Sequence, residues 1–156
     1  MLFRSVQNRE ALPLRLSQEL GLSRRQQWSL SVLLVRFQRA AGESAAEAQL
    51  CEEIGAQFQK MVRDCDSLFR LSHDVYCILA PNTPADGATR MLLRLRDRLT
   101  SAKVFLDGVQ VKHQAFFGLV TVNPDGELLD GESLLRKAIE NLREAGRNQG
   151  FFATVI

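Results

Sequence analysis

The sequence predicts an α/β domain in which helices cover both faces of a central mixed sheet. Residues 29–35 read SLSVLLV, a short run that is apolar on both faces, as in a strand covered from two sides. From 43 to 62 the apolar residues recur at spacings of three and four, which indicates a helix with one buried stripe. Segments of both kinds alternate without a repeat or a linker, so we expect one domain over residues 1–156.

The other helices are indicated by their starts and stops. NREALPLRLSQEL can form an amphipathic helix from Asn8 if Pro13 lies in its first turn, where no backbone donor is missed. TPAD at 83–86 offers a threonine N-cap followed by a proline, and predicts a helix to about Leu99. A last helix is expected over 130–145, with the glycine that follows as its stop.

The remaining strands follow from turn signals. SLFRL and VYCIL read as a hairpin that is joined by Ser72, His73 and Asp74. An Asp107–Gly108 turn separates two further short strands, and the apolar run 116–122 follows as another strand. FFATVI is predicted to close the chain as a strand.

Composition argues against several classes of function. The formal net charge of +2 is too small for whole-domain attraction to nucleic acid or membrane. Three cysteines and two histidines do not suggest a disulfide framework or a zinc site. The chain also lacks the roughly 18-residue apolar run of a spanning helix and the apolar stretch of a secretion signal. We therefore expect a cytoplasmic domain without a metal or cofactor, which neither binds nucleic acid nor inserts into a membrane.

Several spaced motifs resemble the GGDEF family of diguanylate cyclase domains over essentially the whole chain. VQNR at 6–9 resembles the family's L-x-N-R, and the segment from Gly42 resembles G-x-x-x-x-D-x-x-L with Glu for Asp. RLSHDVYCILAP at 70–81 overlays R-Y-G-G-D-E-F-x-I-L-x-P, and Gly146 begins a match to G-R-N. The matches occur in the family's order and agree with the predicted elements, so coincidence is a poor explanation.

The resemblance identifies SHDVY as the family's signature turn in a degenerate form. Two glycines that let the backbone approach phosphate are replaced by larger residues, and the second acidic residue is replaced by an apolar one. Only the first acidic residue is retained. The residues of this degenerate signature turn are Ser72, His73, Asp74, Val75 and Tyr76.

The resemblance also implies that the domain is not an enzyme. Joining two GTP molecules into cyclic di-GMP needs metal ions, which the family holds with carboxylates of the first strand's end and of the signature turn. Arg36 and Gln38 stand at that strand end, so a cation that repels Mg²⁺ replaces one ligand. The segment before Gly42 is too short for the family's guanine-contacting Asn, and Arg143 stands at its phosphate-contacting Lys. Asp74 is then expected to be a turn-forming residue.

Many GGDEF domains have an allosteric product site whose Arg-x-x-Asp begins nine residues before the signature turn. Arg63 and Asp66 lie in that register, and counting from the turn places a further arginine of the site at Arg94. A guanidinium can donate to guanine O6 and N7, while a carboxylate accepts from N1 and N2. The alternative is that Arg63 caps a helix C-terminus and that Arg90, Arg94 and Arg98 form one solvated helical face.

Two hypotheses of function remain open. The first is an inactive GGDEF domain that binds cyclic di-GMP through Arg63, Asp66 and Arg94 and signals to a protein partner. It would resemble receptor modules of bacterial biofilm and exopolysaccharide systems, which work within larger assemblies. The second is an interaction or dimerisation module that lost every ligand. Convergence of the three residues on one concave surface favours the receptor, whereas an exposed apolar patch with scattered arginines favours the module. Both hypotheses allow a dimer and a longer parent chain.

Overall fold

The computed structural model of the chain describes residues 7–39, 44–101, 104–106, 108–111, 113–148 and 150–156. The helices are α1 (Leu12–Gln26), α2 (Ser44–Met61), α3 (Ala85–Ser101) and α4 (Gly131–Ala145). The strands are β1 (Gln7–Asn8), β2 (Leu30–Arg39), β3 (Ser67–Ser72), β4 (Val75–Ala80), β5 (Val104–Leu106), β6 (Val109–Val111), β7 (His113–Val122) and β8 (Phe151–Val155). A short 3₁₀ turn, Arg9–Ala11, precedes α1.

The main sheet has six strands in the order β1-β3-β4-β2-β7-β8. The outermost pairs, β1 with β3 and β7 with β8, are parallel, and the pairs between them are antiparallel. The predicted central mixed sheet is therefore confirmed. Strands β5 and β6 form a separate antiparallel hairpin.

The core is divided by β2 into two layers. Leu33, Val35 and Phe37 pack with α2 and α3 on one face of the sheet, while Val32 and Leu34 pack with α1 and α4 on the other. All five side chains are at most 2% exposed. Because successive residues of a strand point to opposite faces, a strand covered on both sides must be apolar at every position. The two-sided pattern of residues 29–35 reflects this burial.

Several element boundaries differ from the predicted ones. Helix α1 begins after a 3₁₀ turn and keeps Pro13 in its first turn, but it continues to Gln26. Strand β2 extends through its polar tail to Arg39, because its register with β7 pairs each residue up to that point. Gly146 ends α4 with a right-handed backbone, and Gly150 takes the left-handed conformation instead.

Some residues of the predicted motifs lie outside the part of the chain that the structure describes. Asp107 and Gly42 lie outside the described residues, as does Val6 of the VQNR match. Gly108 has a φ of +79°, which fits a turn between β5 and β6. Within the described ranges, no helix is long and apolar enough to cross a bilayer.

Gly118 in β7 lies directly against the backbone of α4. A Cβ atom at this position would lie 2.4 Å from the backbone nitrogen of Leu142. We expect Gly118→Ala to lower the free energy of unfolding by about 1–3 kcal/mol, because α4 would have to move off the sheet. Urea unfolding followed by circular dichroism measures this change.

The matched control is Gly21→Ala in α1, where an added Cβ meets nothing within 4 Å. Alanine is the better helix former, so this variant should be as stable as the parent or more stable, by up to about 1 kcal/mol. Equal stability of Gly118→Ala and the parent would show that β7 and α4 are packed less closely than described.

Candidate functional site

The segment RDCD lies between the end of α2 and the start of β3 and closes on itself. The backbone N–H of Asp66 donates to the carbonyl of Arg63 at 3.0 Å. In the other direction, the backbone N–H of Arg63 donates to Asp66 Oδ2 at 3.1 Å. These two bonds hold both residues at fixed positions where the chain leaves the helix.

The two side chains are joined by a bidentate pair. Arg63 Nε donates to Asp66 Oδ2 at 3.3 Å, and Nη2 donates to Oδ1 at 3.1 Å. The Asp66 side chain is fully buried, whereas that of Arg63 is 48% exposed. The hydrogen bond to this carboxylate raises the pKa of Arg63 above its usual value. Arg63 is thus permanently charged, and the buried Asp66 holds its guanidinium from the interior side.

Thr83 fixes the guanidinium from the side of α3. Its hydroxyl accepts a hydrogen bond from Arg63 Nη2 and donates to the carbonyl of Pro81 at 2.9 Å. Thr83 is only 4% exposed. Helix α3 begins at Ala85, one residue later than predicted, with the N–H of Ala88 bonded to the carbonyl of Pro84. The hydroxyl of Thr83, the predicted N-cap, bonds to Arg63 and Pro81 instead. The contact of Thr83 with Arg63 was not predicted, because nothing in the sequence indicates a bond between residues 20 positions apart.

These bonds determine which donors of Arg63 are left for a ligand. A guanidinium has five N–H groups, and Nε uses one while Nη2 uses both of its own. Among the described residues, nothing bonds to the two N–H groups of Nη1, so these groups and the flat faces of the guanidinium remain. A ligand can therefore be bound by Arg63 without breaking the pair with Asp66.

Three arginines line one pocket with a volume of about 370 Å³, which we call the arginine cleft. It is formed by Arg63, Asn82, Thr83, Pro84, Gly87, Arg90, Met91 and Arg94. Arg90 is exposed and lies 3.5 Å from Asp86. Arg94, one helical turn further along α3, is exposed as well. The structure thus brings two of the three predicted binding residues, Arg63 and Arg94, onto one concave surface.

Asp66 does not lie where the sequence spacing suggested, and Arg90 accompanies Arg94 in the cleft. Asp66 does not line the cleft, because both of its oxygens accept from Arg63 and its side chain is covered. Its contact with guanine remains a prediction, and its observed role is to orient Arg63. Arg90 is exposed, as the alternative of a solvated helical face expects, and it also lines the same cleft as Arg94. The spacing of four residues along α3 is the signal that links them.

The degenerate signature turn is held by two arginines. Asp74 Oδ1 accepts from Ser72 Oγ at 2.8 Å, and Asp74 Oδ2 lies 3.7 Å from Nε of Arg36. Arg36 lies directly opposite Val75 in the ladder of β2 and β4. Arg70 donates to the carbonyls of Ser72 and His73, each at 3.3 Å.

Tyr76 belongs to the core and not to this polar turn. It is 3% exposed, and its ring packs against Phe37 and Phe58 at centroid distances of 6.1 and 5.8 Å. The phenol also lies above Gly55, where a Cβ would be 2.3 Å from its oxygen. A side chain larger than hydrogen at residue 55 would displace the ring.

The two groups of predicted site residues lie at opposite ends of β3. Arg63 and Asp66 precede its first residue, and the signature turn follows its last. The strand has six residues, which corresponds to about 20 Å. In the part of the chain that the structure describes, no three His, Cys, Asp or Glu side chains are placed to hold a metal ion. The side chain of Glu47, from the Gly42 motif, is not among those described.

Comparison with known proteins identifies relatives of this fold. The family model described as diguanylate cyclase, GGDEF domain, matches residues 5–150. A search of curated proteins finds no match.

Three solved structures illustrate the likeness. The GGDEF domain of YfiN (TpbB) from Pseudomonas aeruginosa has a TM-score of 0.82 at 22% identity, covering 97% of this chain and 96% of that one. The GGDEF domain of DgcB from Caulobacter crescentus, solved with c-di-GMP, has a TM-score of 0.80 at 12% identity, covering 97% and 92%. The diguanylate cyclase SiaD of P. aeruginosa, solved with its activator SiaC, has a TM-score of 0.80 at 19% identity. The alignment with SiaD covers 98% of this chain but only 61% of SiaD.

The bidentate pair of Arg63 and Asp66 should contribute to the free energy of unfolding. We expect Asp66→Asn to lower the free energy of unfolding by about 1–3 kcal/mol, because the amide presents donors to the guanidinium and removes the charge that balances it. The half-exposed guanidinium can regain water, which keeps the loss below that of a fully buried pair. Urea unfolding at neutral pH measures it.

The control for this substitution is Asp86→Asn, which removes the exposed partner of Arg90 from the same region. Its effect on unfolding should lie within about 0.5 kcal/mol, since exposed pairs contribute little. If Asp66→Asn lowers the free energy of unfolding no more than Asp86→Asn does, the buried geometry of the Arg63–Asp66 pair is contradicted.

Proposed function

The chain belongs to the GGDEF family of diguanylate cyclase domains, and we propose that it is a catalytically inactive member that acts as a receptor for cyclic di-GMP. The observation that carries this proposal is the arginine cleft. Asp66 and Thr83 present the guanidinium of Arg63 to a surface that also contains Arg90 and Arg94. The proposed ligand has two phosphates and two guanines, so it needs cations together with donors directed at base edges.

The chemistry of the cleft suits such a ligand. The free N–H groups of Arg63 Nη1 can donate to guanine O6 and N7, and its faces can stack on a base. Arg90 and Arg94 are exposed and can pair with phosphate oxygens. Asp66 balances the charge of Arg63 from the interior and Asp86 pairs with Arg90, while Arg94 has no ion-pair partner among the described residues, so the cleft keeps a net positive charge. The cleft is therefore suited to an anion.

The proposed loss of catalysis rests on the signature turn, which lies at the end of β3 away from the arginine cleft. The one acidic residue kept in the signature turn, Asp74, lies 3.7 Å from the Arg36 guanidinium and accepts a hydrogen bond from Ser72. A guanidinium at this distance repels a divalent cation and competes for the carboxylate. Val75, which faces Arg36 across the ladder, has no oxygen to offer. Phosphoryl transfer would then lack the charge that stabilises its transition state.

Binding is tested by calorimetric titration of the domain with cyclic di-GMP. We expect saturable binding that weakens with added salt, because arginine and phosphate charges are screened. Arg63→Ala should weaken binding about tenfold or more, since it removes a base contact of about 1–3 kcal/mol. Arg94→Ala should also weaken binding, and it leaves the pair of Arg63 and Asp66 intact.

The control for these variants is Asp74→Ala, which should bind as the parent does because the degenerate turn has no part in the cleft. Thermal unfolding must first show that Arg63→Ala is folded, since this substitution leaves Asp66 buried without its partner. Unchanged affinity in folded Arg63→Ala and in Arg94→Ala would exclude the arginine cleft as the binding site.

Catalysis is tested separately with GTP and Mg²⁺. We expect no release of pyrophosphate and no cyclic product, whatever the protein concentration, because the metal-binding carboxylates are absent in the family register. An active GGDEF domain assayed in parallel is the positive control. Formation of cyclic di-GMP by the purified chain would disprove the proposed inactivity while leaving the receptor proposal to the titration.

The competing function, an interaction or dimerisation module, is favoured by one observation. Phe105 and Val109, on the β5–β6 hairpin, are 58% and 65% exposed. A module of this kind would bind a protein partner or a second copy without any nucleotide. Absence of cyclic di-GMP binding, together with concentration-dependent dimerisation that is lost in Phe105→Ser, would support it instead. In either case we propose a cytoplasmic role in a bacterial biofilm or exopolysaccharide pathway, within a larger chain or assembly.

A further inference from the structure

A second cavity, of about 300 Å³, lies beside the arginine cleft and shares Arg63 and Asn82 with it. Its other walls are Glu19 and Leu22 of α1, Trp28, Cys65 and Pro81. We call it the indole cavity. Its volume is at the lower end of the roughly 300–1,000 Å³ that small-molecule sites occupy. It is large enough for one ring system but not for a whole dinucleotide.

The indole cavity differs in chemistry from the arginine cleft. Among the described residues that line it, Arg63 is the one cation, and Leu22, Trp28 and Pro81 give it flat apolar surface. Trp28 is half-buried and is the chain's single tryptophan. Aromatic side chains of this kind serve as stacking platforms for nucleic-acid bases. The cavity therefore suits the planar apolar part of a ligand whose charged part lies in the cleft.

Two polar atoms of its walls are left without partners. Glu19 is only 7% exposed, and its Oε1 pairs with Arg15 at 3.1 Å. Its Oε2 and the Nε1 of Trp28 are buried, and neither has a hydrogen-bond partner among the described residues. Buried polar groups are nearly always bonded, so an unpaired acceptor and an unpaired donor at one cavity indicate a missing partner. A guanine edge can supply the missing donors to the Glu19 oxygen through its N1–H and N2–H groups.

We infer that the indole cavity is the base subsite of the proposed receptor, in which Trp28 stacks on one guanine and Glu19 accepts from its N1 and N2 groups. This inference rests on the proposed function and extends it. The guanine turns its O6 and N7 edge towards Arg63 Nη1, while the phosphates lie over Arg90 and Arg94. Glu19 thereby supplies the guanine-binding carboxylate that the buried Asp66 does not expose.

The single tryptophan makes this arrangement directly measurable. Trp28 emission is recorded while the domain is titrated with cyclic di-GMP and, separately, with inorganic pyrophosphate, which has charge but no base. Free tryptophan amide corrects for light absorbed by the nucleotide. We expect a saturable change of emission with cyclic di-GMP at the concentrations found by calorimetry, and none with pyrophosphate. An equal change with both would show that emission reports only anion binding, which would overturn the inference.

Substitutions separate stacking from a structural role of Trp28. Trp28→Leu should weaken cyclic di-GMP binding about tenfold or more, whereas Trp28→Phe, which keeps an aromatic face, should bind much closer to the parent. Thermal unfolding should change similarly in the two variants. Glu19→Gln should weaken the binding of guanine-containing ligands more than the binding of cyclic di-AMP, whose adenine lacks the N1 donor.

A second measurement does not depend on these variants being folded. Cys65 is exposed and lines the indole cavity. Its alkylation, mapped by mass spectrometry, should be slowed by cyclic di-GMP and not by pyrophosphate. The buried Cys77, whose pKa burial raises to about 12, is the internal control and should stay unreactive in both cases.

The possible failures are distinguishable. If calorimetry detects no cyclic di-GMP binding, the proposed function and this inference fall together. If binding occurs and depends on Arg63 and Arg94, but Trp28 emission, Cys65 alkylation and the affinity of Trp28→Leu are unchanged, only the base subsite is wrong. The receptor proposal would then stand on the arginine cleft alone.

Discussion

Burial of β2 on both faces is the constraint on which the rest of the molecule depends. Its side chains alternate between a layer formed by α2 and α3 and a layer formed by α1 and α4. A one-residue shift of this strand would exchange the two sets, so its register with β4 and β7 is strongly determined. That register places Arg36 opposite Val75 and beside Asp74. The chemistry at this end of the sheet is therefore set by the packing of the core.

The arginine cleft depends on the same layering in a different way. The core brings the end of α2 and the start of α3 together beside β3 and β4, which places Thr83 within hydrogen-bond reach of Arg63. Asp66 is covered by this arrangement and balances the guanidinium from inside. A half-exposed arginine with three of its donors already bonded loses little side-chain entropy when a ligand arrives. The cleft is thus largely organised before anything binds.

The sequence could predict the parts of this architecture that are periodic. The two-sided apolar run at 29–35 and the stripe of α2 reflect burial directly, and the Thr-Pro pair at 83–84 marks the start of α3 to within a residue. The spacing of the motifs in the sequence also placed Arg63 and Asp66 at a helix end and Arg94 on a neighbouring helix. Side-chain direction was not predictable, because a spacing of three residues does not say whether Asp66 faces its own arginine or the solvent. The bond to Thr83 and the position of Trp28 beside Arg63 arise from tertiary packing, which local patterns do not encode.

Electrostatics explains why the two ends of β3 could change independently. They are about 20 Å apart, roughly two and a half times the Debye length at physiological ionic strength, so charges at one end are screened from the other. Arg36 forms an ion pair with Asp74 at one end, and we propose that this pair takes the place of metal binding there. The Nε of Arg36 has no hydrogen-bond partner among the described residues, so this contact with Asp74 is one of charge, and screening limits its effect on the arginine cleft. A domain with this separation can lose its catalytic end and still keep a cationic surface for a dinucleotide at the other.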